Sequence, residues 1–277
     1  MQHLNYCRQL NKHCKEMLSI PNVANSAEAQ RLIDLRTLIA TTEKFMLPKG
    51  GIIFWDPELR GLDGIQVPSL PFKAIAIEYE MSEPESPSAG TLSATKRIVF
   101  AIDQDDSIAV KACFFLKDRG TWNSIPWVLI EKQNFLHEIS NGSRRMSFRL
   151  LKNEDYGAYE NRQDVLSDDL RDEITVLSGF LNALSCSNVH VSNSDVPKAR
   201  RKIKSALPFD SYHVLTIDTP SDSLHGSSTA GGHRSPREHL RRGHIRRLPD
   251  SRRIWVNAAV VGAGRGAGVV TKDYAVR

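Results

Sequence analysis

The sequence predicts an α+β fold with N-terminal helices, a central and mainly antiparallel β region, one further core helix and a C-terminal basic β-hairpin. Apolar residues recur at helical spacing in residues 3–19 and 26–46. From residue 51 to about 152 they form short β-branched and aromatic runs bounded by Pro, Gly, Asn and Asp. One helical pattern returns at 167–185, and short strand patterns follow it.

The two N-terminal helices are expected to be amphipathic. Ser26 is expected to cap the second helix, because its hydroxyl can accept a hydrogen bond from a backbone N–H in the first turn. The segment MLPKGG at 46–51 should end that helix at residue 46, since Pro and Gly-Gly do not continue a helix. In the third helix we expect Ser167 to be the cap and Leu170, Ile174, Leu177, Leu181 and Leu184 to form the apolar stripe.

Short runs with β-branched and aromatic residues predict the strands. They are GIIFW (51–55), FKAIAIEYE (72–80), RIVFAID (97–103), SIAVKACFFL (107–116), PWVLIE (126–131), RRMSFRLL (144–151), VHVSN (189–193) and YHVLTID (212–218). The segment DQDD at 103–106 is expected to be a hairpin turn; its three carboxylates could hold a cation, but no closing Glu follows them.

Composition and charge narrow the class of protein. The 277 residues are 40% apolar and 25% charged, as in a globular protein. The net charge is +5, yet residues 231–277 contain 11 Lys and Arg against 3 Asp and Glu, which leaves 26 against 29 in the other 230. This concentration of positive charge at one end favours a polyanionic partner, because each phosphate that is neutralised releases counterions. The alternative is a basic extension that is simply solvated.

The cysteines and the apolar segments predict the compartment. Cys7 and Cys14 have a spacing that fits no common zinc or redox motif, and Cys113 and Cys186 lie in apolar patterns, so we expect reduced cysteines and a reducing cytoplasm. There is no apolar N-terminal segment and no run of about 20 apolar residues. We therefore expect a protein that is neither secreted nor embedded in a membrane, and no cofactor is predicted.

The composition divides the chain into four parts. We predict an N-terminal helical region at 1–46, an α+β core domain at 47–218, a flexible linker at 219–235 and a basic β-ribbon module at 236–277. Ser, Gly, Thr and Pro dominate the linker, so it cannot bury a core of its own. The acidic segment MSEPESPSAG at 81–90 is expected to be a mobile loop.

The basic module is predicted to be a hairpin. LRRGHIRRL forms one strand, PDS the turn and RRIWVNAAVV the returning strand, because Pro-Asp-Ser is turn chemistry and Ile-Trp-Val favours a strand. The following GAGRGAG does not match G-x-G-x-x-G and is expected to be a flexible loop. Arginines on both faces would suit contact with phosphates, and Trp255 could either pack on a core or stack on a base. The predicted contact residues are Arg234, Arg237, Arg241, Arg242, Arg246, Arg247, Arg252, Arg253 and Trp255.

Two histidines in this module suggest an alternative function. His239 and His244 among arginines would supply the acid, base and cations of a metal-independent ribonuclease. Their separation places them on opposite faces of a regular strand unless Gly243 marks a bulge. They could equally donate hydrogen bonds to phosphates, and no metal site is predicted from them.

An ordered set of segments resembles a group of proteins of tailed bacteriophages and prophages that has no assigned activity. The set runs from LPFKAIAIEYE through LNALSCSNV and KARRKIKSALPFDSYHVLTID to SPREHLRRGHIRRL with IWVNAAVVG, over residues 68–277. The resemblance implies a phage origin and expression in the cytoplasm of a bacterial host, and it carries over no catalytic residues. PDS stands where a glycine-containing turn is expected, which leaves the register of the hairpin open.

Three functions remain open from the sequence. The leading hypothesis is a phage-type protein that binds DNA or RNA phosphates through its Arg-rich ribbon. The second is a toxin-type endoribonuclease that uses His239 and His244. The third is a host-takeover protein whose basic ribbon binds an acidic bacterial protein.

Overall fold

The computed structural model describes residues 4–51, 69–81, 94–132, 149–150, 163–194, 211–217, 239–241, 244–256 and 259–261. The helices are α1 Tyr6–Leu18, α2 Pro21–Ala24, α3 Ala27–Thr41 and α4 Gln163–Leu184. The strands are β1 Glu43–Met46, β2 Ala74–Glu80, β3 Lys96–Gln104, β4 Ser107–Leu116, β5 Thr121–Ser124, β6 Val128–Glu131, β7 Arg149–Leu150, β8 Val189–Ser194, β9 Tyr212–Ile217, β10 His239–Arg241, β11 His244–Arg247, β12 Arg253–Val256 and β13 Ala259–Val261. The predicted α+β class is confirmed.

One mixed sheet organises the described part of the chain. Its strand order is β7-β6-β4-β3-β2-β1-β9-β8, and β5 also pairs with β4. The pairing is antiparallel except at β1, which runs parallel to both β2 and β9. The predicted, mainly antiparallel β region is thus confirmed. The parallel pairing is limited to β1 and its two neighbours.

Helices cover both faces of this sheet. Residues of α1 and α3 pack with Ala76, Ile98 and Phe100 on one face, whereas α4 packs with Ile75 and Ile77 on the other. Neighbouring residues of β2 are therefore buried in opposite directions, as the two-residue period of a strand requires. Burial on both sides explains why the middle of β2, β3 and β4 is mostly apolar on both faces.

Several boundaries predicted from the sequence are wrong. The helix predicted at 26–46 ends at Thr41, and Glu43–Met46 form β1. Ser26 stands at the N-cap position, but its hydroxyl donates to the carbonyl of Val23 at 2.7 Å and makes no capping bond. Ser167 is not a cap either, because α4 begins four residues earlier. Strand β5 was not predicted from the sequence.

The other strand predictions in the described ranges are confirmed. The DQDD segment is a tight hairpin in which Gln104 pairs with Ser107, and Lys132 binds Asp103 at 2.6 Å. The strand predicted at 51–55 beyond Gly51, most of 144–151, the loop at 81–90 beyond Met81 and the linker at 219–235 lie outside the described residues.

Three further properties concern the residues that the structure describes. All four cysteines are buried, and none of them forms a disulfide with another. No helix in these ranges is both long enough and apolar enough to cross a membrane. No group of three His, Cys, Asp or Glu residues in them is arranged to hold a metal ion.

Candidate functional site

The described part of the basic segment folds back on itself as an antiparallel ribbon, which we define as residues 239–241, 244–256 and 259–261. Strand β11 pairs with β12, with Arg247 opposite Arg253 and Ile245 opposite Trp255. Strand β10 pairs with β13, with Arg241 opposite Ala259. The predicted hairpin is therefore present, and its register is defined.

A three-residue loop closes the ribbon between Leu248 and Arg252. The N–H of Leu248 donates to the carbonyl of Arg252 at 2.7 Å, and the N–H of Ser251 donates to the carbonyl of Leu248 at 3.0 Å. Ser251 has a φ of 68°, in the left-handed region. This pattern is typical of a type I turn followed by a left-handed residue, a position where glycine is common. The serine thus occupies the place where the sequence led us to expect glycine.

The two faces of the ribbon differ. Ile245 and Trp255 are partly buried and pack against a cluster formed by Ala183, Cys186 and Val189, at the end of α4 and the start of β8. The Trp255 side chain thus packs on the core, which is one of the two roles predicted for it. Stacking of Trp255 on a base stays a prediction.

Hydrogen bonds also fix the edge of β12 to the turn that precedes β8. The Asn188 side-chain amide donates to the Trp255 carbonyl at 2.9 Å and accepts the Trp255 N–H at 2.7 Å. The Ser187 N–H and hydroxyl donate to the carbonyl of Arg253 at 2.8 Å and 3.1 Å. No local sequence pattern points to these positions, because Asn188 lies 67 residues from Trp255 in the chain.

Arg247 and Arg253 stand directly opposite each other, on the same face of the ribbon as Ile245 and Trp255. Arg253 is partly buried and donates from Nη1 to the Ser185 hydroxyl at 3.2 Å, a neutral partner. Burial lowers the pKa of its guanidinium, the nearby Cys186 raises it, and the charge of Arg247 lowers it further. Among the described residues no carboxylate forms an ion pair with either arginine.

Three described arginines of the ribbon are exposed to solvent. Arg246 and Arg247 are exposed, and Arg246 has no ion-pair partner in the described part of the chain. Arg252 is exposed and binds Asp250 of its own turn at 2.7 Å. The hydrogen bonds from Arg252 lower the pKa of the Asp250 carboxyl. At least two guanidinium groups at this end are therefore accessible to a ligand.

The other predicted contact residues are placed less fully. Arg241 lies in β10. Arg234, Arg237 and Arg242 lie outside the described residues. Their role in binding stays a prediction.

The bulge at Gly243 that would place His239 and His244 on one face lies outside the described residues. His239 pairs with Val261 in β10, and His244 pairs with Val256 in β11. The catalytic role of the two histidines stays a prediction.

Two buried carboxylates were also missed, because each lies within an apolar pattern. Glu78 of β2 accepts hydrogen bonds from the Tyr6 and Cys7 N–H groups at 2.7 Å each and from the Tyr212 hydroxyl at 2.8 Å. Glu173 of α4 binds Arg97 of β3. Burial raises the pKa of both carboxyl groups. They join α1 and α4 to the sheet.

Comparison with known proteins gives no relative. The chain matches no protein-family model, no curated protein and no solved structure.

Proposed function

We propose that the protein binds DNA or RNA through the ribbon, with the arginines near the turn contacting phosphates. The observation that supports this most directly is the placement of Arg247 opposite Arg253 without a carboxylate from the described residues. Like charges directly opposite on antiparallel strands destabilise a hairpin. A bound polyanion would remove that repulsion.

The way in which the ribbon is held also supports the proposal. The bonds from Ser187 and Asn188 and the packing of Trp255 hold the ribbon against the core, while Arg246, Arg247 and Arg252 face solvent. A surface that is already ordered loses less conformational entropy when it binds. A guanidinium can bind a phosphate through two parallel hydrogen bonds, which an ammonium cannot do.

Binding of labelled oligonucleotides at several salt concentrations tests the proposal. We expect the affinity of a 20-nucleotide single strand or a 20-base-pair duplex to fall steeply between about 50 and 200 mM salt. The Arg246→Gln/Arg247→Gln double variant should reduce the slope of log affinity against log salt by about 1.8 with the duplex and about 1.4 with the single strand. Arg31→Gln on α3, away from the ribbon, is the matched control and should leave the slope unchanged. Absent or salt-independent binding would overturn the proposal.

A further inference from the structure

A second group of cations lines a groove beside the sheet. Lys49, Lys96 and Lys117 are among the residues that line this open groove, which has a volume of about 560 Å³. We call this space the lysine groove. Its remaining lining residues are Glu80, Met81, Thr95 and Phe115. Three ammonium groups against one carboxylate give the groove a positive balance, and Lys49 and Lys117 are exposed.

Lys96 is held in place inside the groove. Its Nζ donates to the Gln9 side-chain oxygen at 2.8 Å and stands 4.6 Å from the centroid of the Phe115 ring. An ammonium fixed by a hydrogen bond and a ring is already positioned for an anion. The groove thus combines one fixed cation with two exposed ones.

The topology places the lysine groove and the ribbon at the same end of the sheet. The groove residues follow β1, end β2, begin β3 and follow β4. Strand β9 runs parallel to β1 and β8 runs antiparallel to β9, so the start of β8 lies at this same end. The ribbon is bound there by Ser187 and Asn188, immediately before β8.

The opposite end of the sheet has a different charge. Its described carboxylates are Glu43, Asp103, Asp105, Asp106 and Glu131, against Lys44, Lys73 and Lys132. Two of those carboxylates are paired, Asp103 with Lys132 and Glu43 with His213. A polyanion is therefore attracted to the end that carries the groove and the ribbon.

We propose that the lysine groove is a second phosphate-binding site for the nucleic acid strand that the ribbon holds, and this inference rests on the proposed function. Four strand spacings separate β3 from β8, which is roughly 20 Å along the sheet. That distance corresponds to about six nucleotide steps of a B-form strand. A strand of about ten nucleotides reaches both sites.

Lysine footprinting tests this inference in the full chain. Acetylation of each lysine is measured by mass spectrometry, with and without a 20-nucleotide single strand. Lys49 and Lys117 should be protected, whereas Lys44 and Lys73 at the opposite end should react as in the free protein. The Lys49→Gln/Lys117→Gln variant should also reduce the salt slope by about 1.4, at about 0.7 for each phosphate contact of a single strand. Lys73→Gln is the matched control.

The outcomes separate the two proposals. Binding that depends on Arg246 and Arg247, with Lys49 and Lys117 as reactive as in the free protein, overturns the groove and leaves the ribbon in place. Absence of any binding overturns the proposed function, and the inference falls with it. Protection confined to Lys49, Lys96 and Lys117, together with the reduced slope, supports the groove.

Discussion

The Asn188 side-chain amide forms two hydrogen bonds with the backbone of Trp255. Its oxygen accepts the Trp255 N–H at 2.7 Å, and its nitrogen donates to the Trp255 carbonyl at 2.9 Å. One amide side chain thus does for β12 what a neighbouring strand does in a sheet. The Ser187 N–H and hydroxyl extend this pairing to the carbonyl of Arg253. The position of the arginines therefore depends on two residues that are themselves uncharged.

Asn188→Ala should loosen the ribbon. The substitution leaves the Trp255 N–H and carbonyl without their partner, and an unsatisfied buried polar group costs about 1–3 kcal/mol. Because Trp255 is only partly buried, we expect a loss of about 1 kcal/mol in the free energy of unfolding. Hydrogen exchange at the Trp255 amide should become faster. Asn193→Ala, at an exposed position of β8, is the control, and equal exchange rates in all three proteins would contradict the prediction.

Ser251→Gly should stabilise the protein. Ser251 has a φ of 68°, where a residue with a Cβ loses roughly 1 kcal/mol and glycine does not. Part of this gain is offset by the larger entropy of glycine in the unfolded chain, so we expect a net gain of about 0.5 kcal/mol. Urea unfolding measures it.

Gly120→Ala provides the opposite case. Gly120 has a φ of 62°, and a Cβ built there meets no atom within 4 Å, so the change is a pure backbone effect. It should destabilise the protein by roughly 1 kcal/mol. Changes of the same sign at Ser251 and Gly120 would contradict the argument from backbone conformation.

The sequence predicts those parts of the fold that depend on local pattern. Strand β4 is long and mostly apolar and contains β-branched and aromatic residues, and its predicted bounds agree with the structure. Strand β1 was missed because its four residues continue the apolar pattern of α3. Its pairing with β9 joins Phe45 to His213, and nothing in the neighbouring sequence specifies such a distant partner.

The candidate site, too, could be predicted only in the parts that depend on local pattern. Because side chains alternate along a strand, the sequence alone places Ile245 and Arg247 on one face. The choice of which face packs on the core depends on Asn188 and on the cluster around Cys186, which come from a distant part of the chain. The sequence predicts arginines on both faces of the ribbon. Only the structure shows which of them remain exposed once one face packs on the core.

Glu78 should make the stability of the protein depend on pH. Burial raises the pKa of its carboxyl, against the effect of the hydrogen bonds from Cys7, Tyr6 and Tyr212. In the unfolded chain the pKa of Glu is about 4.3. The folded protein thus keeps the proton at pH values where the unfolded chain has released it. This contribution to stability is complete below about pH 4.3 and is lost as the pH rises through the folded pKa.

Glu78→Gln removes this titration. The variant should be less stable than the parent protein, and the difference in the free energy of unfolding should shrink as the pH rises from about 4 to 7. Urea unfolding followed by circular dichroism at several pH values measures it. Glu16→Gln, on the exposed surface of α1, is the control. A difference that grows with pH would mean that the folded protein binds Glu78 as the carboxylate.

Arg247→Glu should raise stability and lower affinity together. A glutamate opposite Arg253 replaces a like-charge pair by an attractive one, and such cross-strand pairs contribute roughly 0.2–1 kcal/mol. We expect the free energy of unfolding to rise within that range at low salt and the gain to disappear near 1 M salt, where charges are screened beyond about 3 Å. The affinity for an oligonucleotide should fall, and the salt slope should decrease by about 1. Arg247→Gln, which only removes the charge, should give an intermediate stability. A loss of stability in Arg247→Glu would show that Arg247 supports the hairpin itself, and the repulsion on which the proposed function depends would then be absent.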